Sequence, residues 1–118
     1  MNIREFYPLV GGDFEDVLGR LQSEVLILCF VKKFPDDPSY RELIEAEEKR
    51  DIETAFRAAH TLKGVAASLG FRSLFSAASE LTERLRPKKD FPEEELFAAV
   101  GKEYRKVIDA VAALEASA

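Results

Sequence analysis

Apolar residues return every three or four positions along most of this chain, and nowhere hold the two-residue alternation of a half-buried strand. That rhythm restricts the 118 residues to helices packed on one another. A short leading helix is predicted over Asn2 to Val10, broken by Gly11-Gly12. Asp13 is placed to cap a second short helix, in which Phe14, Val17, Leu18 and Leu21 share a face. Ser23 caps an apolar segment that ends near Phe34. Pro35-Asp36-Asp37-Pro38 then breaks the chain, with Asp37 as cap and Pro38 in the first helical position. The next helix carries Tyr40, Leu43, Ile44 and Ala46 and stops near Arg50.

Asp51 opens the central helix. Its apolar stripe is Ile52, Ala55, Phe56, Ala59, Leu62, Ala66 and Leu69, and Gly70 is placed as the left-handed terminator. At about 100° per residue, His60 falls roughly 120° from the centre of that stripe. It therefore stands at the solvent edge of the packed face, held by its helix and still reachable. Ser73 is expected to cap the following helix, which buries Leu74, Ala77, Ala78, Leu81 and Leu85 and ends at Pro87. Pro92, followed by Glu93-Glu94-Glu95, reads as the start of a last helix with carboxylates at the positive end of its dipole. That helix carries Leu96, Val100, Tyr104, Val107, Val111 and Leu114. Short loops make sequential helices antiparallel neighbours. The predicted fold is all-α: an antiparallel up-and-down four-helix bundle with one or two additional short N-terminal helices. Ala55, Ala59, Ala66, Ala77 and Ala78 let the two central helices approach closely. One domain is expected over residues 1–118, with the N-terminal helices occupying about 1–22.

Composition narrows the function classes. A chain that is 47% hydrophobic and 33% charged is an ordinary globule rather than a disordered one. At this length it buries about two-thirds of its unfolded surface. The longest apolar run, Val25 to Val31, is too short to span a bilayer, and no signal peptide is expected before it, so the expected location is cytoplasmic. The single cysteine, Cys29, lies in that run and is expected to be a buried, unpaired thiol. One histidine and one cysteine cannot build a structural metal cage. A net charge of −5 argues against nucleic acid as a partner. Acidic residues from Asp36 to Glu48 and basic ones from Arg84 to Lys89 read as solvated faces.

His60 is the only histidine, in the run His60-Thr61-Leu62-Lys63-Gly64-Val65-Ala66-Ala67-Ser68-Leu69-Gly70. Imidazole is the side chain whose proton equilibrium lies near neutrality, and its neutral form offers a lone pair that can attack phosphorus. Lys63 and Gly64, three and four residues on, flank the ring on neighbouring turns. The lysine can hold a phosphoryl group as a point charge. The glycine leaves space beside the ring for another protein, at a cost of about 1 kcal/mol of helix propensity.

The run resembles the signature of histidine-containing phosphotransfer domains, H-x-L-K-G followed by four residues and a small apolar-Gly step. His60, Leu62, Lys63, Gly64, Leu69 and Gly70 all meet it, and Asp51, Ala58-Ala59 and the helix after the motif extend the likeness over roughly residues 23 to 115. The resemblance implies a phosphocarrier without turnover of its own: His60 accepts a phosphoryl group from a receiver-domain aspartate and passes it to another receiver. It implies receiver domains or a hybrid histidine kinase as partners, Mg²⁺ brought by the receiver, no cofactor or metal in this chain, and a monomer. Met1 favours an independent protein. Ser68, two turns on, is a candidate for contacting the phosphoryl group, and Arg57, one turn back, for positive potential. Phe71 and Phe75 lie outside the assigned stripe and suit a docking rim. Thr82 and Arg86 fall where relatives place polar groups that orient the phosphohistidine. The alternatives are a receiver- or kinase-docking bundle that is never phosphorylated, which has no need of the nucleophile, and a histidine-dependent hydrolase, which lacks a serine or cysteine nucleophile paired with a carboxylate.

Overall fold

In the computed structural model, which describes residues 1–116, three predicted caps turn a side-chain oxygen onto an orphan amide at a helix head. Asp13 Oδ1 accepts from Glu15 N at 3.0 Å, Ser23 Oγ from Leu26 N at 3.1 Å, and Asp51 Oδ1 from Thr54 N at 3.2 Å. Asp37 stands one residue further out than expected: Pro38 holds the position before the next helix rather than its first turn, and Asp37 accepts from Ser39 N at 2.9 Å and from the Ser39 hydroxyl. These signals set seven helices: α1 (Ile3–Leu9), α2 (Phe14–Leu21), α3 (Glu24–Lys33), α4 (Ser39–Lys49), α5 (Ile52–Leu69), α6 (Arg72–Leu85) and α7 (Glu94–Ala116). A 3₁₀ turn over Phe34–Asp36 separates α3 from α4, and no strand occurs among the described residues.

Helices α4 to α7 form the bundle, and each packs chiefly on its neighbour in sequence. The direction of the outer pair is fixed at both ends. Tyr40, at the head of α4, stacks on Tyr104 midway along α7, with ring centroids 4.1 Å apart. Arg50, just past the end of α4, lies over Phe91, before α7 begins. The two helices therefore run antiparallel.

The first three helices close the end of the bundle where α5 meets α6. Tyr7 donates its hydroxyl to the carbonyl of Leu69 at 2.7 Å, and Ser73 N donates to the Val10 carbonyl at 3.3 Å. Ser73 was expected to cap α6 but sits inside its first turn. The position before the helix is Phe71, which has no side-chain cap bond, and the carbonyl of Val10, just past α1, satisfies the Ser73 amide instead. The last helix starts at Glu94, slightly later than Pro92 suggests, with Glu94 and Glu95 in its first turn.

Gly70 terminates α5 with φ +75°, and a Cβ there would collide with Val17. Gly70 N donates to the Ala67 carbonyl and Phe71 N to that of Ala66, which is the Schellman arrangement. This turn drives Phe71 inward. Its ring is fully buried, 5.8 Å from Phe6 and 5.1 Å from Phe34 in edge-to-face contacts.

The apolar segment of α3 departs from expectation. Only Ile27 and Val31 are buried among its residues, because a single helix can turn only one side to the core. Val25, Leu26 and Phe30 remain 79, 40 and 39% exposed, and Cys29 is exposed with them rather than a core thiol.

Candidate functional site

His60 occupies the third turn of α5, between the buried Ala59 and Leu62, and its own side chain is exposed. Side chains on a helix lean toward its N-terminus, so the imidazole lies over the preceding turn. There it meets Phe56, four residues earlier, in a near-parallel stack with centroids 6.0 Å apart and an interplanar angle of 15°. Among the described residues neither ring nitrogen is engaged in a hydrogen bond. The ring is oriented by packing while its lone pair stays available.

Two different surroundings flank the ring. Toward α6 lie cations. Lys63, half-buried, joins none of the ion pairs among the described residues, although its charge reaches Glu83. Arg86 grips Glu83 through Nε and Nη2, the closest approach being 2.7 Å, and its guanidinium sits 5.2 Å from the Phe56 ring centroid. Lys88 Nζ lies 4.8 Å from the same centroid and pairs with Glu53 at 3.4 Å. The Arg86 hydrogen bonds, aided by the charges of Arg86, Lys63 and His60, hold the Glu83 carboxyl below the ordinary carboxylate range.

Toward α3 the surface opens into a groove of about 750 Å³. Phe30, Lys33, Phe34, Asp36 and Asp37 form one wall, and Thr61, Gly64, Val65, Ser68 and Leu69 form the other. A Cβ built on Gly64 would meet nothing within 4 Å. Helix packing therefore does not require this glycine, and its place is explained by open space beside His60.

The remaining candidates divide. Gly64 and Ser68 share the groove wall, and the Ser68 carbonyl accepts from Arg20 at 3.1 Å. Arg57 is exposed and donates to Thr54 Oγ1 at 3.4 Å, beside Thr61. Arg86 belongs to the cationic flank. Phe75 is half-buried on α6 beside Arg72 and Ala67, the latter two turns past the histidine on α5. Phe71 is not a docking residue, because the Schellman turn seats it in the core. Thr82 is not available to a phosphoryl group either. It is buried, and its hydroxyl donates back to the Ala78 carbonyl at 2.6 Å. The aromatic residue that does rim the groove is Phe30, which the sequence reading had inside an apolar run. Its signal was the run itself: seven consecutive apolar residues on a helix exceed what one buried side can take.

No group of three or more His, Cys, Asp or Glu side chains suited to a metal occurs among the described residues. No helix among them is long and apolar enough to cross a membrane.

The chain is thus an all-helical bundle that holds one exposed imidazole between a cationic flank and an apolar groove. The family model for the Hpt domain matches residues 12–117, and the chain belongs to that family, the phosphocarrier modules of phosphorelays. Comparison with curated proteins and with solved structures gives no match.

Proposed function

We propose that His60 is the phosphoacceptor and that this chain relays a phosphoryl group between two receiver domains. The observation that carries this reading is the exposed imidazole braced on Phe56, with Lys63 on the next turn and open space at Gly64. The neutral ring attacks phosphorus through its distal nitrogen while keeping its proton on the other. A P–N bond forms, the P–O bond to the receiver aspartate breaks, and the carboxylate leaves with the electron pair. A second receiver's carboxylate reverses these changes. The receiver supplies Mg²⁺, and this chain supplies position and charge neutralisation, the larger part of what phosphoryl transfer requires.

The α3–α5 groove accepts apolar side chains of the docked receiver, with Phe30, Gly64 and Ser68 at the contact, and the chain acts as a monomer in the cytoplasm. The test is to incubate the protein and its His60→Gln variant with a receiver domain charged by radiolabelled acetyl phosphate. Acid-labile, base-stable label is expected on the unaltered chain alone. Equal labelling of both proteins would rule out His60.

A further inference from the structure

We infer that Phe56 is a positioning residue for His60, and that the two cations against its ring transmit the placement of the α6 end to the imidazole; this rests on the relay reading above. Phe56 is only half-buried, so core packing alone does not fix its ring. Three groups do. His60 lies against it in parallel at 6.0 Å, Arg86 approaches to 5.2 Å and Lys88 to 4.8 Å. Both cations are themselves tethered, Arg86 to Glu83 on α6 and Lys88 to Glu53 on α5. An aromatic face attracts cations through its quadrupole, and it restricts a neighbouring ring to offset, near-parallel or edge-on poses.

The consequence is directional. An exposed histidine on a helix ordinarily samples several rotamers, and in-line attack on phosphorus tolerates little angular error. The Phe56 ring removes part of that freedom before a partner arrives. Neither Arg86 nor Lys88, held on that ring, lines the groove, so neither obstructs docking there. Phe56 touches no reacting atom, so it acts through His60.

The test uses Phe56→Leu, which keeps an apolar side chain without a ring, and Phe56→Tyr, which keeps the ring. His60 is the only histidine, so its imidazole signals in an aromatic carbon–proton NMR spectrum are unambiguous. Phe56→Leu is expected to shift those signals by loss of the ring current. It is also expected to slow transfer from a charged receiver at saturation by roughly five- to tenfold, with the half-saturating receiver concentration unchanged. Phe56→Tyr should restore both readouts. Lys88→Gln, which leaves the core untouched, should move the imidazole signals in the same direction by less. If the wild type takes up label and Phe56→Leu matches it in both spectrum and saturating rate, the inference fails and the relay reading stands. If the wild type takes up no label on His60, both fail. A Phe56→Leu effect confined to the half-saturating concentration would place Phe56 in docking and overturn its positioning role.

Discussion

The two flanks of α5 beside His60 differ in the physics they offer a partner. The α6 flank is charged: Arg86 and Lys88 lie over an aromatic ring, with Glu83 and Glu53 as counter-ions, and the charge of Lys63 reaches Glu83. The α3 flank is largely apolar and open, walled by Phe30, Phe34, Val65 and Leu69, with Lys33, Asp36 and Asp37 on its α3-side wall. Charge acts at range and is screened by salt, whereas apolar shape acts only at contact and is nearly indifferent to salt. The division of labour follows. Under the proposed relay, one side neutralises what is transferred, and the other sets how the visitor sits.

The largest effect expected from breaking this arrangement is structural. Phe30 and Phe71 bracket Phe34, one turned to the solvent and one to the core. Phe71→Ala should cost about 3–5 kcal/mol of stability in urea unfolding. Phe30→Ala should cost about 0.5 kcal/mol or less, as surface changes do. Equal losses would place both rings in the core.

Next in size is the charged flank. Under the proposed relay, Lys63→Ala removes a charge-assisted contact of about 1.5–3 kcal/mol to the phosphoryl group. Transfer at saturating receiver should slow roughly ten- to a hundredfold. The deficit relative to wild type should narrow as salt is raised. A deficit independent of ionic strength would assign Lys63 a packing role.

Smaller again is the groove. Phe30→Ala should raise the half-saturating receiver concentration about five- to tenfold, on the order of 1 kcal/mol of lost apolar contact, and leave the saturating rate alone. This effect should persist in high salt. An effect on rate instead of concentration would merge the two flanks into one.

The smallest effect lies at the closed end of the bundle, away from both flanks. Burial raises the Tyr7 hydroxyl well above the ordinary tyrosine value, with Arg20 opposing weakly. Its stabilising contribution is complete below about pH 10, the unfolded value, and is lost as pH rises through the folded one. Tyr7→Phe should cost about 1 kcal/mol at neutral pH by losing the bond to Leu69. It should also flatten the decline in melting temperature above about pH 10. Tyr104, raised likewise by its own burial, remains as background in both proteins.

Much of this was legible in the sequence, for identifiable reasons. Caps at Asp13, Ser23 and Asp51 and the terminator Gly70 act locally, within a turn, so the residue types alone announce them. The edge position of His60 followed from helical angle, and its exposure agrees. What failed depended on distant chain. Phe71 looked external because the stripe of α5 ended at Leu69, but the Schellman turn carries the next residue back into an aromatic cluster assembled from α1 and the 3₁₀ turn. Thr82 aligned with polar positions of relatives, yet its short hydroxyl reaches only its own helix. Ser73 carried a capping side chain, but Val10, just past α1, supplied a carbonyl to its amide. Cys29 was read as interior from its place in an apolar run, whereas no element covers that side of α3 among the described residues.

The most direct measurement follows one labelled phosphate through the protein. A first receiver is charged with radiolabelled acetyl phosphate and mixed with this chain, the phosphorylated chain is isolated, and the labelled residue is mapped by proteolysis and mass spectrometry. A second, uncharged receiver is then added. Label is expected on His60 alone, leaving for the second receiver much faster than it hydrolyses. Label on any other residue, or label that stays on His60 until hydrolysis with the second receiver present, would contradict the relay.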